Sequence, residues 1–205
     1  MMSLRLSMPK RAIASGRVSM MCLQAYGSTR FAAPTPTAVA PASISSRTSC
    51  ALYACHTNLD SAPEGMSQML GNLLGLRNVI LLEPTATEMP GSGFGIVGEP
   101  EHVLPTEEFL RTVRDRLSLK CIRYSGITRP TVRRAALCTG AGASMMSAAK
   151  RAGADVYLSA DFKYNDFLDA DRELVIADIG HFESEYCAID LIYEIIRKKM
   201  PTFAL

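Results

Sequence analysis

Residues 174–185 read Leu-Val-Ile-Ala-Asp-Ile-Gly-His-Phe-Glu-Ser-Glu, an apolar run that passes through a glycine into a histidine and a group of acids. The pattern predicts a buried strand over residues 174–177 and a helix over residues 184–199. His181 and Glu185 follow the strand at its carboxyl end, where α/β proteins gather their functional sites. Because they are four residues apart, both side chains share one face if the backbone turns helically.

A second pairing of histidine and acid is found in the sequence His56-Thr-Asn-Leu-Asp60, after a strand predicted over residues 51–55. Two of the three histidines of the chain therefore lie in these clusters. Imidazole and carboxylate donors without thiolate suit Zn²⁺, Mn²⁺, Fe²⁺ or Mg²⁺, and a pair of such ions is a common hydrolytic device. Two other interpretations stay open. His56 could be a hydrogen-bonded structural histidine, and His181 with its acids could be a helix start at which the acids offset the dipole.

The order of apolar runs and amphipathic segments predicts an α/β fold. The predicted strands cover residues 51–55, 79–82, 121–124, 134–138, 155–158 and 174–177. The predicted helices cover residues 64–76, 145–151, 162–170 and 184–199, and another begins at Thr106 with Phe109, Leu110, Val113 and Leu117 on its inner face. The last helix is expected to bury Ala188, Leu191, Ile192, Ile195 and Ile196. The glycine-rich residues 91–95 are expected to be a flexible connection.

Three weaker signals admit ordinary structural explanations. The turn at residues 140–142 could hold an anion, but it lacks the third glycine of a dinucleotide fingerprint and the lysine of a P-loop, so a tight strand-to-helix turn is preferred. The acidic run Asp161, Asp166, Asp169 and Asp171 is typical of a solvated helix face. His102 stands among acids and proline and is expected to be a surface residue.

Charge divides the chain into two parts. Residues 1–50 contain six Lys or Arg and no acid, whereas the rest contains 16 Lys or Arg and 20 Asp or Glu. The acidic remainder lacks the basic footprint that binds a nucleic-acid backbone. Residues 1–49 are predicted to be a disordered leader, either an organelle transit peptide or a non-homologous segment without a role.

The six cysteines form no C-x-x-C pair, which favours a reducing compartment. No apolar run approaches the roughly 18–20 residues that a membrane span needs. We therefore expect a soluble cytoplasmic protein. The alternative location is the mitochondrion or another organelle, if the leader is a transit peptide.

Four co-linear motifs carry a resemblance to a known family. They are Tyr53-Ala-Cys-His-Thr-Asn-Leu-Asp60, Ala135-Ala-Leu-Cys-Thr-Gly-Ala-Gly142, Gly153-Ala-Asp-Val-Tyr-Leu-Ser-Ala-Asp-Phe-Lys-Tyr164 and Asp178-Ile-Gly-His-Phe-Glu-Ser-Glu185. The chain resembles the dinuclear-metal-centre hexamer family, the NGG-one-interacting factor three relatives that also bear the name GTP cyclohydrolase one type two homologues. The likeness runs from about residue 52 to the end of the last predicted helix.

The resemblance implies a two-domain α/β subunit that assembles as a toroidal hexamer and holds two divalent metal ions. It implies Asp60, His181 and Glu185 as metal ligands. His56 matches a family histidine near the metals, which implies a catalytic role or a place beside the ligands.

The implied domains are a partial metal-bearing α/β domain, built from residues 50–62 and 175–205, and a second α/β domain over residues 63–174. One departure concerns the first of these. The family's N-terminal half ends a strand with adjacent histidines that complete the metal site, and this chain contains no His-His pair.

The implied activity is metal-dependent hydrolysis of a nucleotide such as GTP, with His56 as the proton carrier. Two alternatives remain: a non-catalytic oligomeric scaffold or regulatory interaction protein, and an inactive truncated relative.

Overall fold

The structure, a computed structural model, describes residues 55–85, 89–170 and 173–202. Its strands are β1 (Arg77–Pro84), β2 (Gly93–Glu99), β3 (Leu104–Pro105), β4 (Arg123–Tyr124), β5 (Thr131–Val132), β6 (Ala135–Ala141), β7 (Val156–Ala160) and β8 (Val175–Asp178). Its helices are α1 (Thr57–Asp60), α2 (Met66–Leu73), α3 (Thr106–Arg116), α4 (Met146–Arg151), α5 (Tyr164–Asp169), α6 (His181–Glu185) and α7 (Ala188–Lys199). A short 3-10 helix, Ala143–Met145, leads into α4.

A six-stranded mixed sheet in the order β1-β2-β6-β7-β8-β4 forms the centre of the described chain, and β3 and β5 form a separate pair. The strands β6, β7 and β8 run parallel, whereas β1, β2 and β4 each pair antiparallel with their neighbours. Neighbouring parallel strands have their carboxyl ends at the same edge of a sheet. The segments that follow β6, β7 and β8 therefore meet at one edge.

Apolar side chains in register across four strands build both faces of the sheet. The face toward α2, α3 and α7 carries, from β2 to β8, Ile96, Leu137, Leu158 and Ala177. The opposite face, toward α4 and α5, carries Val97, Ala136, Tyr157 and Ile176. Since helices cover both faces, these strands are apolar at successive positions rather than alternating with polar residues.

The predicted α/β class is confirmed, and most predicted elements lie within a few residues of the observed ones. The helix predicted from Thr106 begins there, with Phe109, Leu110 and Val113 buried. The predicted disordered leader over residues 1–49 lies outside the described residues, as does all but the last residue of the strand predicted over 51–55.

The expectation of a connection over residues 91–95 is wrong from Gly93 onward, because strand β2 begins there and only Gly91 and Ser92 precede it. The glycines here serve close packing. A Cβ atom on Gly95 would lie 2.9 Å from Leu82 Cδ1 and 3.1 Å from the carbonyl oxygen of Leu137, and its φ is +60°. Glycine alone adopts this backbone freely and leaves room for the neighbouring strands.

The single helix predicted over residues 184–199 is in fact two helices, α6 and α7, separated by a turn at Tyr186 and Cys187. The predicted inner face is also partly wrong. Ile196 is buried, but Ile195 is 43% exposed. The reason is that α7 packs on the core along a narrow line, which leaves much of its apolar surface uncovered.

The chain from His56 to Leu205 forms one unit. Within it, β8 pairs with β7 across the domain boundary predicted at residue 174, and the division into two α/β domains stays a prediction. In the described ranges, no helix has the length and hydropathy to cross a membrane.

Candidate metal centre

The two predicted clusters meet in an open cleft of about 410 Å³ at the carboxyl edge of the parallel strands. His56 precedes α1, and Asp60 is its last residue. His181 begins α6, and Glu185 ends it. All four side chains line the cleft. The fold therefore brings Asp60 and His181 to one place although they are 121 positions apart in the sequence.

His181 and Glu185 are in direct contact, as their spacing on one helix predicts. Nε2 of His181 lies 3.2 Å from Oε1 of Glu185, and the two side chains are 45% and 37% exposed. The backbone of Gly140, at the end of β6, passes close to both. A Cβ atom on Gly140 would lie 2.6 Å from Glu185 Oε1 and 3.3 Å from His181 Nε2. The φ of +64° at Gly140 also favours glycine.

Asp60 is half-buried on the other side of the cleft, where the Thr139 hydroxyl donates a 3.4 Å hydrogen bond to its Oδ1. Burial raises the pKa of Asp60, and the negative charge of Glu185 raises it further. The Thr139 hydrogen bond and the two histidines His56 and His181 oppose this rise in pKa. Two carboxylates thus share a partly desolvated cleft, an arrangement that a cation would relieve.

Three hydroxyl groups fix the turn at the end of β6. The backbone N–H of Gly140 donates to Ser184 Oγ at 2.9 Å, and Ser159 Oγ donates to the Gly140 carbonyl at 3.0 Å. The Tyr157 hydroxyl donates to the Gly142 carbonyl at 2.6 Å, and burial raises the pKa of this phenol. Ser184 also donates to the carbonyl of His181 at 2.8 Å. These bonds tie the turn to the helix that carries His181 and Glu185, so the cleft is pre-formed.

The remaining histidines take different positions. His56 is exposed at the mouth of the cleft, and its Nδ1 lies 3.0 Å from the Thr57 hydroxyl. Its position fits a group that exchanges protons with a bound ligand and with water. His102 is exposed and does not line the cleft, as predicted for a surface residue.

Phe94, Cys138 and Met145 give the cleft an apolar wall, and Glu83 stands at its exposed side. Burial, followed by the charge of Asp60, raises the pKa of the Cys138 thiol to about 11. The thiol therefore stays protonated at neutral pH in the metal-free cleft.

The donors in the cleft fit a divalent cation in chemistry and charge, since two carboxylates and an imidazole suit Zn²⁺, Mn²⁺ or Fe²⁺. Their present positions do not yet form a closed ligand set. Within the described ranges, no three His, Cys, Asp or Glu side chains are grouped closely enough to hold an ion. The roles of Asp60, His181 and Glu185 as ligands, and of His56 as a catalytic group, therefore stay predictions.

Sequence reasoning placed Asp161 on a solvated helix face. Its side chain is 57% exposed, as predicted, but the residue lies outside a helix. Asp161 lies in the loop between β7 and α5, where its Oδ2 is 2.7 Å from Nδ1 of His181. The feature of the sequence that could have predicted this contact is the position of Asp161. It directly follows a buried strand, and that strand lies next to the one that leads to His181. Acids at the carboxyl ends of adjacent parallel strands are neighbours in space.

Comparison with known protein families gives one clear match. The model of the Duf34/NIF3 (NGG1p interacting factor 3) family matches residues 43–205. The GTP cyclohydrolase 1 type 2 homolog of Nostoc sp. (strain PCC 7120) is 33% identical over 149 residues, which cover 71% of this chain and 56% of that protein. The chain spans about half the length of the curated relatives it matches.

Solved structures share the fold. Staphylococcus aureus protein SA1388 superposes with a TM-score of 0.64 at 22% identity, covering 74% of this chain and 64% of that one. Protein ybgI, of unknown function, superposes with a TM-score of 0.62 at 28% identity, covering 72% of this chain and 57% of that one.

Proposed function

Because the chain belongs to the Duf34/NIF3 (NGG1p interacting factor 3) family, we propose that it binds a divalent cation through Asp60, His181 and Glu185. The observation that carries this proposal is the cleft itself. It gathers two carboxylates and an imidazole from distant parts of the sequence, and the carboxylate charges raise each other's energy in the absence of a cation. The resemblance adds a second ion per subunit, for which further donors are required.

We further propose that the cleft hydrolyses a nucleotide, with GTP as the first candidate because relatives carry the name GTP cyclohydrolase 1 type 2 homolog. A bound divalent cation supplies an activated water and polarises the bond to be broken. The cleft volume of about 410 Å³ suits a small ligand. Phe94 and Met145 offer an apolar wall to a base, and His56 at the mouth exchanges the proton.

Metal binding is tested by titrating the purified, metal-free chain with Mn²⁺ and Zn²⁺. We expect saturable binding that His181→Ala weakens at least tenfold. His102→Ala is the matched control, since it removes an exposed imidazole outside the cleft and should leave the affinity unchanged. GTP turnover in the presence of the bound ion tests the hydrolase. A wild-type chain that binds neither ion would overturn the proposal.

A second candidate function, an oligomeric scaffold, is favoured by a specific surface. Apolar side chains of α6, α7 and the turn between them are exposed: Phe182 is 62% exposed, Tyr186 46%, Ile189 54% and Tyr193 44%. The centroids of the Phe182 and Tyr186 rings are 5.6 Å apart, and Ile189 and Tyr193 are four residues apart on α7. Exposed apolar surfaces of this kind are typical of interfaces. The resemblance implies a toroidal hexamer as the assembly.

Sedimentation velocity separates the scaffold from the metal-dependent enzyme. A ring that forms equally in chelator, is broken by Ile189→Asp, and carries no GTP turnover supports the scaffold. A chain that stays monomeric at all concentrations contradicts it.

For location we propose the cytoplasm, with an organelle as the alternative if residues 1–49 act as a transit peptide. Imaging the full chain with a C-terminal fluorescent tag decides between them. Removal of residues 1–49 should leave a cytoplasmic signal unchanged, whereas it would abolish an organellar one.

A further inference from the structure

His181 is held between two carboxylates. Its Nδ1 lies 2.7 Å from Oδ2 of Asp161, and its Nε2 lies 3.2 Å from Oε1 of Glu185. Glu185 lines the cleft, whereas Asp161 does not and touches the ring from the other side. An ionised carboxylate can only accept a hydrogen bond. The shorter contact, to Asp161, is a hydrogen bond and requires the proton on Nδ1. Nε2 faces Glu185 and the cleft, and there a bound cation would take the place that a second ring proton holds in its absence.

The backbone at Asp161 is in an unusual conformation, with φ of +57°. Aspartate and asparagine adopt this left-handed region more readily than other residues with side chains, but it still carries strain. Such strain persists where the surrounding structure determines it, and it is concentrated at functional positions. The left-handed conformation is therefore a second observation, independent of the hydrogen bond, that the surrounding structure holds Asp161 in place.

Arg123 on β4 connects the loop of Asp161 to the loop of His181. Its Nη2 donates to the carbonyl of Phe162 at 2.8 Å and to Oδ2 of Asp178 at 2.7 Å. Oδ1 of Asp178 in turn accepts the backbone N–H of Gly180 at 3.1 Å, directly before His181. One guanidinium thereby fixes the residue after Asp161 and the residues before His181.

The packing around Phe162 strengthens this connection. Phe162 is 3% exposed, and its ring makes an edge contact with Tyr157, whose hydroxyl holds the turn at Gly142. Arg123 also stacks over the Phe167 ring, 5.1 Å from its centroid. The Asp161 loop is therefore anchored in the core although its carboxylate is 57% exposed.

From this geometry we propose that Asp161 is a positioning residue for His181: it holds the proton on Nδ1 and aims Nε2 at the ligand that Asp60 and Glu185 share. The inference deepens the proposed metal site and rests on it for the identity of the ligand. Carboxylate partners of this kind orient ligating histidines and raise their basicity. A surface ion pair contributes little to stability whether or not it has such a role, so a stability measurement cannot by itself reveal the role.

The test uses Asp161→Asn and Asp161→Gly in the full chain. Both replacements tolerate the left-handed backbone, so neither adds strain at the position. Asp169→Asn is the matched control, because it removes an exposed acid from the neighbouring helix α5 that does not line the cleft. The ring tautomer of His181 is read from ¹⁵N–¹H correlation spectra of metal-free protein at a pH where the imidazole is neutral. Mn²⁺ and Zn²⁺ affinities are measured on the same samples.

We expect the wild type and the Asp169 variant to show the Nδ1-protonated tautomer and both Asp161 variants to show a mixture. We expect the Asp161 variants to bind the ion about 10–100-fold more weakly, with thermal unfolding shifted by only about a few degrees. An Nδ1-protonated ring in both Asp161 variants would overturn the proposal. The tautomer is read without metal, so it distinguishes this failure from a failure of the metal site, which would appear as a wild-type chain that binds no ion.

Discussion

Gly140 and Gly153 offer a matched pair of substitutions that separates backbone strain from damage to the site. Both glycines have left-handed backbones, with φ of +64° and +68°. A Cβ atom on Gly153 would have no heavy atom within 4 Å, whereas one on Gly140 would lie 2.6 Å from Glu185 Oε1. Gly140→Ala must therefore displace the Glu185 carboxylate, and Gly153→Ala displaces nothing.

The expected magnitudes follow from these contacts. An alanine in the left-handed region costs about 1–2 kcal/mol, so each variant should unfold roughly 2–8 °C below the wild type. Only Gly140→Ala should also weaken Mn²⁺ or Zn²⁺ binding, by about 10–100-fold, the range seen when support of a metal ligand is disturbed. This corresponds to about 1.4–2.8 kcal/mol of binding free energy.

Thermal unfolding in chelator measures the first effect, and metal titration of the same preparations measures the second. If Gly140→Ala binds the ion as tightly as the wild type, the displaced Glu185 carboxylate is not a ligand. If Gly153→Ala loses affinity equally, the loss follows from backbone strain alone and not from damage to the site.

Three further predictions concern the walls of the cleft. Tyr157→Phe removes the 2.6 Å hydrogen bond to the Gly142 carbonyl, which keeps its bond from the N–H of Met145. Urea unfolding should therefore show that the free energy of unfolding falls by about 0.5–1.5 kcal/mol. An unchanged free energy would mean that the buried hydroxyl does not support the turn. Gly142→Ala would place a Cβ atom 2.7 Å from the Tyr157 hydroxyl and 2.9 Å from Cys138 Cβ, so it should destabilise the fold by about 1–3 kcal/mol. Gly126→Ala, which meets no atom within 4 Å, is its control and should change stability by no more than about 1 kcal/mol. Burial and the charge of Glu185 raise the pKa of Asp60 in the folded protein. Above the pKa of the unfolded aspartate, the folded state therefore binds more protons than the unfolded state. Its stability falls as the pH rises through the pKa of folded Asp60. Metal-free Asp60→Asn should therefore be more stable than the wild type at neutral pH but not well below about pH 4, and equal urea midpoints at neutral pH would argue against this electrostatic description.

The sequence predicted the fold best where one physical rule governs a segment. The helix of α3 follows from helical spacing of Phe109, Leu110 and Val113, which are all buried. The parallel strands are predicted from apolar runs, because helices cover both faces of the sheet. The prediction failed at β2, because glycines considered without their neighbours in space indicate a flexible connection. The actual reason for Gly95 is the approach of Leu82 and the Leu137 carbonyl, which are distant in sequence.

In the site too, features set by local spacing were predicted and features set by distant residues were not. The i,i+4 spacing of His181 and Glu185 predicted a contact that the structure contains. The pairing of His181 with Asp161 depends on the neighbouring positions of β7 and β8, which a local pattern does not encode. The exposure of Ile195 was missed for a similar reason, because helical spacing identifies an apolar face but does not show which elements pack against it.

The proposed metal site is tested most sharply by a crystal of the protein grown with Mn²⁺ or Zn²⁺ and examined by anomalous diffraction. The proposed site requires an anomalous peak between the Asp60, His181 and Glu185 side chains, with ligand distances of about 2.0–2.2 Å. A saturated crystal without a peak in this cleft, with the three side chains unmoved, would contradict it.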